Sequence, residues 1–345
     1  MADFLEITRP DDAHVHLRDG AALGCTAAFS AAQFARALVM PNLLPPVTGV
    51  AEALAYRGRI LEALGPEPEF EPLMALYLTD ETRPAEVRRV AETPGVLAFK
   101  LYPKGATTHS QAGVTRLAAL APTLEAMQEH GVPLCIHGEA TDPGLDVFDR
   151  EKIFVAETLA PLLEEFPGLR VVLEHITTRE AAQFVGAARA GVAATITPQH
   201  LLLNRNDLFA GGLRPHHYCL PLLKRAVHQR ELQRVAISGN PRFFLGSDSA
   251  PHSAAAKESA CGCAGCFCAP VAIELYAEVF DALDALDKLE GFASHFAAEF
   301  YGLPRNTSRV RLERKTWRVP ETIELSPTEE SVPLWAGREL SWKLA

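Results

Sequence analysis

The chain has 345 residues, 48% of them hydrophobic and 22% charged, and a formal net charge of −10. This balance excludes a disordered chain, and the negative charge argues against a general binder of nucleic acid or anionic membranes, because counterion release and surface attraction both need cations. The N-terminus MADFLEITRPDDAHVHL lacks the basic start and apolar stretch of a signal peptide, and no apolar run approaches the roughly 20 residues of a membrane span, so a cytoplasmic protein with reduced cysteines is expected.

Eight short apolar runs follow in chain order. They are DDAHVHL at 11–17, ARALVMPN at 35–42, FEPLMALYLT at 70–79, VLAFKLYP at 96–103, VPLCIHGE at 132–139, LRVVLEHIT at 169–177, VAATITPQ at 192–199 and RFFLGSDSAP at 242–251. Stretches such as VTRLAALAPTLEAMQEHG and REAAQFVGAARAG separate them, with apolar residues at helical spacing and a terminal glycine. Eight strands alternating with helices predict a (β/α)8 TIM barrel. An open doubly wound sheet is the other α/β arrangement, but no run is followed by a glycine-rich phosphate-binding turn. No linker or internal repeat interrupts residues 1–345, so a single domain is expected, with a tail from about 305 to 345 packed on the barrel.

His14 and His16 lie two apart in the first run, a spacing that sends both side chains to one face of a strand. On its own an H-x-H pair is weak. However, His137, His175 and Asp248 each stand where a separate run ends, Lys100 lies in the fourth run, and barrel active sites are built where strands run out. A buried lysine loses its proton readily, and the neutral amine then captures carbon dioxide to give a carboxylate. Carboxylated Lys100 would bridge two divalent ions, one held also by His14, His16 and Asp248 and the other by His137 and His175, with a shared hydroxide between them. Imidazole and carboxylate ligands suit zinc best.

The segments PDDAHVHLRDG, VMPNLLPPVT, FKLYPKGATTHS, IHGE, LEHITT, ATITPQHL, RPHHYCLPLLKR and GSDSAPHSAAAKESACGCAGCF together resemble class II dihydroorotases of the amidohydrolase superfamily, over residues 5 to about 303. All six metal positions match the family pattern. The resemblance implies reversible cyclisation of N-carbamoyl-L-aspartate to L-dihydroorotate in pyrimidine biosynthesis, two Zn(2+) per subunit and a homodimer. Asp248 would act as base and then acid in turn. Arg18, Asn42 and His252 correspond to the family's grip on the substrate carboxylate, a role for which a guanidinium is suited, and Arg18 follows His16 by two residues along the strand. Leu220 and Ala264 correspond to positions that bind the ring through backbone groups. The resemblance also puts Thr107 and Thr108 on a loop, PKGATTHSQAG at 103–113, that is expected to close over substrate.

Two competing readings bear on these residues. Cys261, Cys263, Cys266 and Cys268 have the look of a structural metal site, although the family uses that stretch as a loop after the eighth strand. A hydantoinase or dihydropyrimidinase would share the barrel and the bridging lysine, but a substrate without a ring carboxylate would leave Arg18, Asn42 and His252 unpaired.

Overall fold

The computed structural model describes residues 3–66 and 69–345. After a first strand β1 (Phe4–Thr8) come β2 (Asp11–Val15), β3 (Arg36–Val39), β4 (Glu71–Leu78), β5 (Val96–Leu101), β6 (Leu134–His137), β7 (Val171–Glu174), β8 (Val192–Ile196) and β9 (Phe243–Leu245). The eight strands β2 to β9 lie side by side in chain order, all parallel. Each falls within one of the eight apolar runs. The ring closes just past the strand ends: the Asp248 N–H donates to the His14 carbonyl at 2.8 Å and the His16 N–H to the Ser249 carbonyl at 3.0 Å. Closure therefore joins the two segments that carry His14, His16 and Asp248. The architecture is the (β/α)8 barrel.

Parallel strands buried on both faces read as continuous apolar runs, so a buried charged residue inside one needs a partner, as Arg36 has in Asp11, or a site. Ala98, Cys135, Val172 and Ala193 belong to the cluster that fills the barrel. Two residues further along the same strands, on the same face, come Lys100, His137, Glu174 and Thr195. The barrel thus changes from apolar to polar within one step of the strand period. In β2 the pairing with β3 shifts register between Asp12 and Val15. Ala13 consequently packs inside the barrel and Val15 against the helices.

The tail forms β10 (Arg309–Arg318), β11 (Ile323–Ser326), β12 (Glu329–Ser331) and β13 (Glu339–Leu344). β1 pairs antiparallel with β10, and β10 with β13, in a three-stranded sheet outside the barrel. This use of residues 4–8 as a strand is absent from the sequence reading, because β1 is half exposed and its partner lies some 300 positions away. Fully buried Trp342 anchors the sheet and donates its indole N–H to Asp281 at 3.2 Å. Among the described residues no helix is long and apolar enough to cross a membrane.

Candidate active site

His14 and His16 enter on the end of β2, and Asp248 on the turn after β9. His16 Nε2 lies 3.1 Å and His14 Nε2 3.5 Å from Asp248 Oδ1. Among the described residues, these three form the one group of His, Cys, Asp and Glu donors whose ligand atoms all lie within 4.8 Å of one another. His175, just past β7, and His137, at the end of β6, complete an aromatic row, with ring centroids 5.0 Å apart for His14 and His175 and 4.8 Å for His137 and His175. Lys100 lies beneath them, fully buried, its Nζ 5.2 Å from the centre of the Tyr102 ring.

Burial dominates the electrostatics. It pulls the Lys100 pKa down, opposed chiefly by the Glu174 carboxylate, and it holds His14 and His175 well below the usual histidine range, so both rings are neutral at physiological pH. For Asp248, burial acts upward but the hydrogen bond from His16 and nearby positive charge overcome it, leaving a carboxylate. His14 Nε2, Lys100 Nζ and His175 Nδ1 are buried with no hydrogen-bond partner in the protein. Leaving such atoms unpaired is costly, and neutral imidazoles with one nitrogen turned inward, beside a carboxylate, fit a transition-metal site.

The outer nitrogens of these rings are fixed by groups absent from the sequence reading. Glu174 Oε2 lies 2.8 Å from His14 Nδ1, and the Thr195 hydroxyl donates to the same oxygen at 2.6 Å. Glu139 Oε2 lies 2.9 Å from His137 Nε2. Asp12 Oδ1 accepts the N–H groups of His14 at 3.1 Å and Ser247 at 2.8 Å, tying the first barrel strand to the last. Glu174 and Glu139 set tautomer and ring orientation, whereas Asp12 fixes backbone. A carboxylate beside each histidine, in LEHIT, IHGE and DDAH, was the available signal.

Six of the seven predicted substrate and loop residues, Arg18, Asn42, Leu220, Ala264, Thr107 and Thr108, line one pocket with the histidines and Asp248. His252 stands at its edge: its Nε2 is 3.1 Å from Arg18 Nη2 and 3.0 Å from the Ala264 carbonyl oxygen, and a neutral ring serves only one of these at a time through that nitrogen. Two details differ from the sequence reading. Arg18 is placed by backbone conformation rather than by strand alternation. It lies outside β2 with φ +61°, held by Nε donating to the Pro251 carbonyl at 2.9 Å and by the Tyr56 hydroxyl on its own carbonyl. Asn42 is already engaged, its Oδ1 2.7 Å from His16 Nδ1 and its Nδ2 donating to the Thr108 carbonyl at 3.4 Å. It therefore links His16, one of the clustered donors, to the 103–113 loop. His175 (φ +40°) and Asp248 (φ +45°) share the left-handed conformation, unusual for side chains and frequent at functional sites.

The cysteine stretch does not gather its sulfurs. Cys261 is exposed, Cys266 and Cys268 are buried, and Cys268 donates to the Ser247 carbonyl at 3.2 Å.

Residues 11–315 match the model of the Amidohydrolase family. A dihydroorotase from Laribacter hongkongensis is 61% identical over 342 residues, covering 99% of each chain. The chain belongs to the dihydroorotases of the amidohydrolase superfamily. Solved structures agree: a Campylobacter jejuni dihydroorotase superposes with a TM-score of 0.91 at 35% identity, covering 100% of this chain and 98% of that one. A Saccharomyces cerevisiae dihydroorotase in complex with 5-fluoroorotic acid gives 0.92 at 31%, covering 100% and 99%. These relatives support the dihydroorotase reading that the sequence already favoured over a hydantoinase-like amidohydrolase.

Proposed function

We propose that this dihydroorotase interconverts N-carbamoyl-L-aspartate and L-dihydroorotate at a pair of zinc ions, as the ring-closing step of pyrimidine biosynthesis. The observation that carries this reading is the convergence, in one pocket, of Asp248 and buried histidines, His14 and His175 held neutral, with the guanidinium of Arg18. His14, His16 and Asp248 would hold one ion and His137 and His175 the other, with carboxylated Lys100 between them. When bound, the metal pair supplies Lewis acidity and a water of lowered pKa.

The protein's own groups then do the following. Arg18, Asn42 and His252 orient the substrate's α-carboxylate, and backbone groups of Leu220 and Ala264 receive the ring. Asp248 Oδ1 faces His16 and His14, so the second oxygen is the one free to carry a proton. In hydrolysis it takes a proton from the attacking water and gives it to the departing ring nitrogen; in ring closure it takes a proton from the ureido nitrogen. Thr107 and Thr108, on a loop tied to Asn42, close the pocket from above and exclude water.

The reading includes a single domain over residues 1–345, a homodimer and a cytoplasmic location. Its test is a metal count on purified protein together with L-dihydroorotate hydrolysis. About two zinc ions per subunit with turnover is the expected result; turnover that survives complete metal removal would overturn it.

A further inference from the structure

The segment GSDSAPHSAAAKESACGCAGCF contains one buried charged group that the chemistry above does not use. Lys257 lies at the end of the short helix Ala254–Lys257 and is 4% exposed. A buried ammonium ordinarily sits against a carboxylate. Lys257 has none within ion-pair distance among the described residues. Its Nζ donates instead to two carbonyls, that of Tyr218 at 2.8 Å and that of Gly265 at 2.6 Å.

Those carbonyls belong to the two loops that reach the substrate pocket. Tyr218 stands two residues before Leu220, and Gly265 directly follows Ala264. The Tyr218 carbonyl also accepts the Gly265 N–H at 3.0 Å. Gly265 has φ +148°, and a Cβ there would fall 2.4 Å from the Ala250 carbonyl oxygen. The loop therefore passes too close to its neighbour for a side chain, and Lys257 fastens it where it passes. Ala264 in turn faces His252, which adjoins Arg18.

Lys257 also adds charge. Burial first, then the positive charges of Arg18 and Lys257, hold the His252 pKa down to about 3, so the imidazole enters the pocket neutral. Arg18, which lines the pocket, and Lys257, which lies behind the Ala264–Gly265 turn that lines it, are both without an ion-paired carboxylate among the described residues. Two nearby cations repel each other at low dielectric unless an anion comes between them.

We propose that Lys257 is a positioning and specificity residue for an acidic ring substrate: it fastens the Leu220 and Ala264 loops to each other and supplies, with Arg18, the second positive charge that the substrate's carboxylate neutralises. This rests on the reading of Arg18 as the carboxylate site.

The test uses the zinc-loaded enzyme and three variants. Lys257→Met removes charge and hydrogen bonds, Lys257→Gln keeps a donor without charge, and Lys257→Arg keeps both. Binding of 5-fluoroorotate is titrated directly, and KM and kcat for L-dihydroorotate are measured separately. Met and Gln variants are expected to bind 5-fluoroorotate at least tenfold more weakly, with zinc content retained and the loss in turnover expressed mainly in KM. The Arg variant should stay within about threefold of wild type. A Gln variant that binds like wild type would reduce Lys257 to a loop fastener, and an Arg variant as weak as Gln would exclude the charge role. Failure of both neutral variants to fold would overturn the proposal in favour of a purely architectural lysine. Failure of the wild-type enzyme to hydrolyse L-dihydroorotate would instead overturn the functional reading.

Discussion

Glu174 and Thr195 couple the two halves of the site: the Thr195 hydroxyl donates to Glu174 Oε2 at 2.6 Å and accepts the His175 N–H at 2.6 Å, while the same Glu174 oxygen faces His14 Nδ1 at 2.8 Å. One carboxylate and one hydroxyl thereby orient a histidine from the first barrel strand and another from the sixth. Glu174→Gln is expected to weaken metal retention by about 10- to 100-fold, the usual scale for a carboxylate behind a ligating histidine. Competition against a chelator measures it, and a variant that retains metal like wild type would remove Glu174 from this role.

Asp248→Asn removes the proposed proton carrier while leaving Arg18, Asn42 and His252 in place. Turnover should fall at least about a thousandfold, at the strong end of general acid–base effects, with 5-fluoroorotate still bound. Substantial residual kcat, measured with zinc content checked, would show that another group moves the proton.

Lys100→Ala deletes the side chain proposed to bridge the metals and leaves a cavity in the barrel. One or both metals should be lost, and a small carboxylic acid in the buffer should restore part of the activity by occupying the gap. A variant that holds two metals and full activity unaided contradicts the carboxylated bridge.

The Thr107→Val, Thr108→Val double variant probes the loop. Hydroxyls that engage only in the closed state stabilise the transition state more than the free enzyme, so kcat should drop at least about tenfold, equivalent to roughly 1.4 kcal/mol. Near wild-type kcat with zinc content unchanged would make residues 103–113 a plain connector.

Stability should carry a pH signature far from the metals. Glu274, in the helix Ala272–Ala282, is buried, and desolvation raises its pKa from 4.5 to about 7; one oxygen accepts the Leu344 N–H at 3.2 Å and the other has no partner. The folded state therefore keeps a proton that the unfolded chain releases, and this contribution is full below pH 4.5 and is lost as pH rises through about 7. Glu274→Gln removes the dependence. Its Tm relative to wild type should rise between pH 5 and pH 8, by the equivalent of roughly 1–3 kcal/mol, and a pH-independent difference would contradict the assignment.

The sequence by itself determined the barrel, because eight apolar runs alternating with helical segments have few other ways to bury themselves, and it determined the metal-binding candidates, because His14, His16, Lys100, His137, His175 and Asp248 are polar residues set in or at the ends of those runs. Only the tertiary structure decided how they are held. Glu174 and Thr195 act across strands, Asn42 joins His16 to the 103–113 loop, and Lys257 joins two loops through carbonyl oxygens that no side-chain pattern records. Arg18 reaches the pocket through a left-handed backbone rather than through strand alternation, and β1 finds its partner only when the chain returns as β10. The reason is common to these cases: periodicity along a chain reports which face is buried, whereas a hydrogen bond between residues far apart in sequence depends on where the closed barrel brings them.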